Sequence, residues 1–107
     1  SPIAGQVLSV RRGVFREFME SSQALRSVAF TPWPQGGFLA TRIEPASLVA
    51  RLGLKKGDIV KSVNNTKLNS VLHALSVHQD LQTLPFLEVR LERENQQILL
   101  FYKLIDE

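Results

Sequence analysis

The sequence predicts an α+β domain in which a small, strongly bent antiparallel sheet or barrel is capped by two or three helices. Short runs of alternating apolar and polar residues recur along the chain, and Gly, Pro and Asn residues separate them. Other stretches repeat apolar residues at helical spacing instead. The length of 107 residues suits one domain. We expect residues 6–107 to form it, after a disordered leader or expression remnant at 1–5.

The N-terminal part predicts one strand and one helix. Residues 6–10 alternate, which is typical of a half-buried strand. Ser9 is the expected N-cap of a helix over 11–20, because a short hydroxyl side chain accepts the first free N–H groups of a helix. Apolar residues recur on one face of that helix, namely Val14, Phe15, Phe18 and Met19.

Alternation and turn residues predict the remaining strands. Pro32 and Pro34 place one of these strands at a sheet edge, because proline cannot donate to a sheet ladder. A last helix is predicted over 70–81, and Leu84-Pro85 ends it. The predicted strands cover residues 28–33, 38–43, 59–63, 66–68, 86–93 and 96–104.

The segment 42–65 carries several linked signals. Pro45 ends an extended run and favours a first helical turn after it. Gly53 follows a very short helix, and the Gly57-Asp58 pair forms a polar turn before the next strand. The expected buried stripe of the short helix consists of Ala46, Leu48, Val49, Leu52 and Leu54.

The order E-P-x-S-x-x-x-x-L-G-L-x-x-G-D-I-V-x-x-V-N in this segment resembles the central segment of bacterial PDZ domains. The strand pair at 86–104 resembles the circularly permuted strand order of that bacterial type. The N-terminal part is similar to the C-terminal PDZ domain of type II secretion system protein C, the GspC family. The similarity lies in an N-terminal helix followed by V-A-F-T-P-W and G-G-F-L-A-T-R-I-E-P-A-S-L. The resemblance covers residues 7–104.

The resemblance implies a groove that binds an extended peptide by strand addition. Its floor would be the strand at 28–33 and its wall the helix at 70–81, although an apolar helix face is more often core than pocket. Spacing of i, i+4 and i+7 places the helix residues on one face. The candidate groove residues are Leu25, Arg26, Val28 and Phe30 on the strand side and Val71, Leu75 and His78 on the helix.

PDZ domains that bind a free C-terminus use a Φ-G-Φ loop, whose backbone N–H groups point at the carboxylate. Residues 24–27 stand before the strand here, and none of them is glycine. This departure from the family pattern argues against strong binding of a free C-terminus. Arg26 remains a charged donor that an anion could use.

By resemblance, the chain is expected to be a non-catalytic protein-interaction domain of a type II secretion system inner-membrane component. The parent protein would be membrane-anchored in a Gram-negative bacterium, with this domain in the periplasm. Its partners would be secreted exoproteins or secretin periplasmic domains. One alternative is a regulatory peptide-binding PDZ domain of an HtrA-type or intramembrane protease. Another is a scaffold domain with a closed groove that only forms a weak homodimer, with part of the helix face that carries Phe15 and Phe18 as the interface.

Other classes of function find no support in the sequence. The chain has no cysteine, which excludes disulfides, Cys-ligated metals and thiol nucleophiles. No G-x-S-x-G, H-E-x-x-H or phosphate-loop motif occurs, so we expect neither an enzyme nor a cofactor. His73 and His78 are five residues apart, which does not suit a metal pair on one helix face. The net charge of +3 comes from bases spread along the chain, which argues against nucleic-acid binding.

Overall fold

The computed structural model of the protein describes residues 3–20, 26–67 and 82–106. Within these ranges the chain forms one mainly antiparallel sheet and two short helices, which confirms the predicted α+β class. Neighbouring strands follow the order β1-β7-β6-β4-β3-β2, and β5 pairs with β4. The elements are β1 (Ile3–Arg11), α1 (Arg12–Glu20), β2 (Val28–Pro32), β3 (Phe38–Ile43), α2 (Leu48–Arg51), β4 (Ile59–Val63), β5 (Thr66–Lys67), β6 (Phe86–Arg93) and β7 (Gln96–Ile105).

The first strand differs most from the prediction. β1 runs parallel to β7, from Ile3 beside Ile98 to Arg11 beside Ile105, whereas the other strand pairs are antiparallel as expected. β1 also begins at Ile3 rather than at residue 6, so residues 3–5 belong to the sheet and not to a disordered leader. Ala4 and Gly5 have little strand preference, so pairing with β7 decides their conformation.

Helix α1 follows β1 without a connecting loop, which removes Ser9 as its N-cap. Ser9 lies in β1 opposite Lys103. Arg12 begins the helix instead, and its Nε donates to Asp106 Oδ1 over 2.6 Å. Phe15 is buried in the core, so it cannot serve the self-association face expected on this helix.

The core lies on one side of the sheet. Alternation in β6 buries every second residue, as the sequence predicts. Tyr102 and Leu91 are the largest fully buried apolar side chains among the described residues. The core cluster consists of Val10, Phe15, Leu52, Val60, Val63, Leu87, Val89, Leu91, Tyr102 and Leu104.

The hairpin turns have the backbone geometry that their residues favour. Asn64 and Asn65 have φ of 50° and 67°, and Glu94 and Asn95 have φ of 51° and 65°. Two successive positive φ angles are typical of the type I′ turn, whose twist matches that of the flanking strands. Gly57 also has positive φ, as predicted.

The segment 42–65 confirms most of its predicted order. The short helix spans Leu48–Arg51, and Leu52 reaches the core while Leu48 and Leu54 pack against it. Ala46 is exposed, contrary to the predicted stripe, because it precedes the helix and lies in a turn.

The helix predicted over 70–81 lies outside the described residues, and the two residues after it, Gln82 and Thr83, have helical backbone. In the described part of the chain, no helix combines the length and the apolar character needed to span a bilayer.

Candidate functional site

Strand β2 forms one end of the sheet. Within the described ranges it pairs only with β3, from Val28 opposite Ile43 to Pro32 opposite Phe38. A backbone hydrogen bond from Glu44 N to Ser27 O, 2.7 Å long, continues the pairing beyond the strand. An edge strand presents a row of N–H and C=O groups that can pair with another polypeptide.

A bulge bends this edge at its middle. The register shifts between Ala29 and Phe30, which leaves Thr41 of β3 without an opposite residue. The Thr41 hydroxyl donates to Ala29 O over 3.1 Å and thereby fixes the bulge. Bulges of this kind re-aim the side chains beside them.

Phe30 is the most prominent side chain of the edge. It lies opposite Ala40, which is 1% exposed, yet Phe30 itself is 41% exposed. Val28 and Ala29 are half-buried. The edge thus offers a large aromatic side chain beside available backbone groups, which is the combination that strand addition uses.

A cleft of about 730 Å³ lies where β2 begins and β3 ends, between α1 and α2. Its apolar surface comes from both helices and the loop between β3 and α2, whereas its charged groups include two bases and two acids. The lining residues are Val14, Glu17, Phe18, Arg26, Ser27, Glu44, Ala46, Ser47, Leu48 and Arg51.

Ser47 shapes one wall of this cleft. Its hydroxyl donates to Glu44 O over 2.7 Å and accepts from Ala50 N over 3.2 Å, so it caps α2 and closes the preceding turn together. Ser47 is buried, and its backbone is extended as in a regular N-cap. The cap therefore holds Glu44 and Arg51 at fixed places on the cleft wall.

Two hydrogen bonds, one buried and one partly buried, anchor the other end of α2. The Tyr102 hydroxyl donates to Leu52 O, and Arg93 Nη2 donates to Gly53 O over 2.8 Å. Burial raises the pKa of Tyr102 to about 12, although the nearby Arg93 charge lowers it in part. The Tyr102 hydroxyl therefore stays protonated and keeps donating at all ordinary pH values.

The structure places the predicted groove residues as follows. Val28 and Phe30 lie on β2. Arg26 is exposed two residues before β2 begins and lines the cleft. Whether Arg26 binds an anion stays a prediction. The remaining predicted residues, Leu25, Val71, Leu75 and His78, lie outside the described residues.

Sequence reasoning missed the cleft residues of α1. Val14 and Phe18 are four residues apart and face the cleft, while Phe15 faces the core. The helical spacing of these residues was visible in the sequence, but spacing alone does not separate a core face from a cleft face.

The described residues bring apolar surface, charges of both signs and backbone groups to this edge and cleft. The described part of the chain contains no group of three or more His, Asp or Glu side chains that could hold a metal ion. The arrangement offers an edge strand, an exposed phenylalanine and a mixed-charge cleft, which together suit the binding of a polypeptide.

No protein-family model matches the chain, and no curated protein matches it. Solved structures do match. The PDZ domain of EpsC from Vibrio cholerae, residues 204–305, is 14% identical, has a TM-score of 0.57, and covers 85% of this chain and 91% of that one. The PDZ domain of the pullulanase C protein of the type II secretion system from Klebsiella pneumoniae, in complex with fatty acid, is 21% identical with a TM-score of 0.55. That match covers 84% of this chain and 98% of the other.

A third match is the HtrA3 PDZ domain bound to the phage-derived ligand FGRWV, which is 22% identical with a TM-score of 0.53. It covers 69% of this chain and 77% of that domain. The solved structures that match thus include a PDZ domain of a type II secretion system protein, as the sequence resemblance predicted. At these identities the likeness concerns the fold, and by that likeness the chain has the PDZ fold.

Proposed function

We propose that this chain is a non-catalytic protein-interaction domain that binds an extended segment of another protein beside β2. The observation that carries the proposal is the edge of β2, which pairs only with β3 within the described ranges and displays Phe30 at 41% exposure. Strand addition draws its affinity from backbone hydrogen bonds and its selectivity from side chains at alternate positions.

The dimensions of the edge limit what it binds. β2 has five residues and ends at Pro32, which has no N–H to offer. We therefore expect about five residues of the partner to pair, with an apolar partner side chain against Phe30. The partner residues beyond the start of β2 would then reach the cleft, where Arg26, Glu44 and Arg51 offer charges of both signs.

The proposed setting is the type II secretion system of a Gram-negative bacterium. The domain would lie in the periplasm as part of an inner-membrane component and would recruit exoproteins or contact the secretin. The support is the likeness in fold to the PDZ domains of EpsC and of the pullulanase C protein, together with the resemblance over residues 7–104.

Binding of the chain to secretin periplasmic domains and exoproteins from its own organism tests this proposal. Calorimetry would measure affinity, and hydrogen exchange would report whether the amides of β2 become protected. Phe30→Ala should weaken binding roughly tenfold, as expected for an aromatic anchor. Phe86→Ala is the matched control, since Phe86 is 56% exposed on β6, away from the edge. Equal binding by both variants, or no protection of β2, would contradict strand addition at this edge.

A regulatory PDZ domain of an HtrA-type or intramembrane protease is the second candidate. The likeness in fold to the HtrA3 PDZ domain, solved with a short peptide ligand, favours it. The two candidates differ in whether a free carboxylate is needed. Residues 24–27 lack the glycine of a carboxylate-binding loop, so we expect a peptide and its C-terminally amidated form to bind equally. A strong preference for the free acid, lost in Arg26→Gln, would favour the protease candidate instead.

A further inference from the structure

We propose that the edge of β1 is a self-association surface, at which two copies of the chain pair β1 with β1 in antiparallel orientation. β1 forms the end of the sheet opposite to β2, and within the described ranges it pairs only with β7. It is nine residues long, against five for β2. This is therefore the longer of the two edges.

The edge of β1 has few of the features that keep sheet edges apart. Monomeric proteins protect such edges with charged residues, prolines or bulges. Residues 3–10 contain no charged residue and no proline. One bulge lies between Ala4 and Val7, and from Val7 to Arg11 the pairing with β7 is regular. The regular part, residues 7–11, is thus an open and neutral strand until its last residue.

The two faces of this regular part have different surroundings. On the core side of the sheet, Leu8, which is 36% exposed, lies beside Tyr102, and the buried Val10 lies beside Leu104. The other three residues, Val7, Ser9 and Arg11, are exposed on the outer side, and Val7 is 67% exposed. A second strand that pairs with this edge would remove the exposed, β-branched Val7 side chain from water.

A second copy fits this edge because the strand is self-complementary. A two-fold axis at Ser9 pairs Leu8 with Val10 of the second copy, which continues the core side across the axis. The same axis sets Val7 against Arg11 of the second copy, whose aliphatic stem can cover the valine. No like charges face each other in this register, although directly opposed like charges destabilise antiparallel pairs.

The proposed pairing leaves the other edge accessible. β2 lies at the far end of the strand order, so both copies keep their β2 edges for a partner segment. The self-association therefore goes beyond the proposed partner binding and does not depend on it.

Sedimentation of the chain across a concentration series, up to about 1 mM, tests the proposal. The wild type should form dimers. In Val7→Lys a lysine faces Arg11 of the other copy, and the dimer contains two such like-charge pairs. This variant should associate about fivefold more weakly than Val7→Thr, the neutral β-branched control. Val7→Glu places opposite charges there and should associate at least as strongly as Val7→Thr. Val7 is exposed, so circular dichroism should show all three variants folded.

Three outcomes would overturn the proposal. The first is a wild type that stays monomeric over the whole series. The second is association of Val7→Lys as strong as that of Val7→Thr, and the third is association of Val7→Glu as weak as that of Val7→Lys. Amide exchange gives a second readout, since β1 should gain protection with concentration while β2 should not.

Discussion

Arg93 of β6 binds both carboxylate oxygens of Asp58. Its Nε lies 2.7 Å from Oδ1 and its Nη2 lies 2.7 Å from Oδ2, and Asp58 is fully buried. Asp58 Oδ2 also accepts from Lys55 N over 2.8 Å. The hydrogen bond with Asp58 raises the pKa of Arg93. The sequence predicts only a polar turn at Gly57-Asp58. In the structure, Asp58 also joins the loop after α2 to the end of β6.

Loss of the Arg93 side chain should destabilise the fold strongly. Arg93→Met leaves the Asp58 carboxylate buried without its charged partner, and we expect a loss of about 3 kcal/mol in the free energy of unfolding. Arg90→Met is the matched control on the same strand. Arg90 and Glu88 form a more exposed pair at 3.6 Å, so this change should cost less than about 1 kcal/mol. Urea unfolding of both variants measures the difference, and equal losses would contradict the assigned role of Asp58.

Stability should fall in alkaline solution because of Tyr102. Burial raises the pKa of Tyr102 from 10.0 to about 12, so the folded chain keeps a proton that the unfolded chain releases. The stabilising effect is complete below pH 10 and is lost as the pH rises toward 12. The slope is at most about 1.4 kcal/mol per pH unit.

Tyr102→Phe isolates this effect, because it removes the ionisable group and the hydrogen bond to Leu52 O. The variant should be less stable at neutral pH, by roughly 1–2 kcal/mol, and should lose less stability than the wild type between pH 10 and 12. Urea unfolding at several pH values measures both. Parallel pH curves for the two proteins would show that other groups, such as lysines, cause the alkaline loss.

Gly37 and Gly57 should respond differently to the same substitution. Both have φ of 95°, so alanine is strained at either position by about 1 kcal/mol. A Cβ at Gly37 would also lie 2.5 Å from Val60 O, whereas a Cβ at Gly57 would meet nothing within 4 Å. We expect Gly37→Ala to cost about 3 kcal/mol and Gly57→Ala about 1 kcal/mol. Thermal or urea unfolding would show the difference, and equal costs would mean that β4 moves away from Gly37 without penalty.

Ser47→Ala should remove the cap of α2. The change leaves Ala50 N without its acceptor, and it should cost about 1 kcal/mol. Ser9→Ala tests the cap expected from sequence, and because Ser9 is exposed in β1 it should change stability little. A larger loss for Ser9→Ala than for Ser47→Ala in urea unfolding would reverse this assignment.

Local signals predicted the part of the fold that depends on neighbouring residues. The strand β6 and the strand β3 have the predicted bounds, since alternation over six to eight residues is a strong local pattern. The hairpin at Asn64-Asn65 also follows from its residues, because asparagine tolerates positive φ. Pro32 and Pro34 predicted that β2, the strand of the candidate site, lies at a sheet edge.

Sequence patterns did not predict the contacts between distant parts of the chain. The parallel pairing of β1 with β7 depends on residues more than ninety positions apart, as does the ion pair of Arg12 with Asp106. The link from Asp58 to Arg93 crosses 35 positions, and no spacing rule connects them. The cleft was not predicted for the same reason, because residues of α1 and α2 line it together only once the sheet has formed.

The parallel pair also has a consequence for how the chain folds. β1 is synthesised before β7, and more than ninety residues separate their paired positions, so β1 cannot pair until that length of chain has been made. Contacts of such long sequence separation slow folding, because a large loop must close before they form. Until β7 is made, β1 lacks its pairing partner and carries no charge before Arg11, so another nascent copy or a chaperone can reach it first.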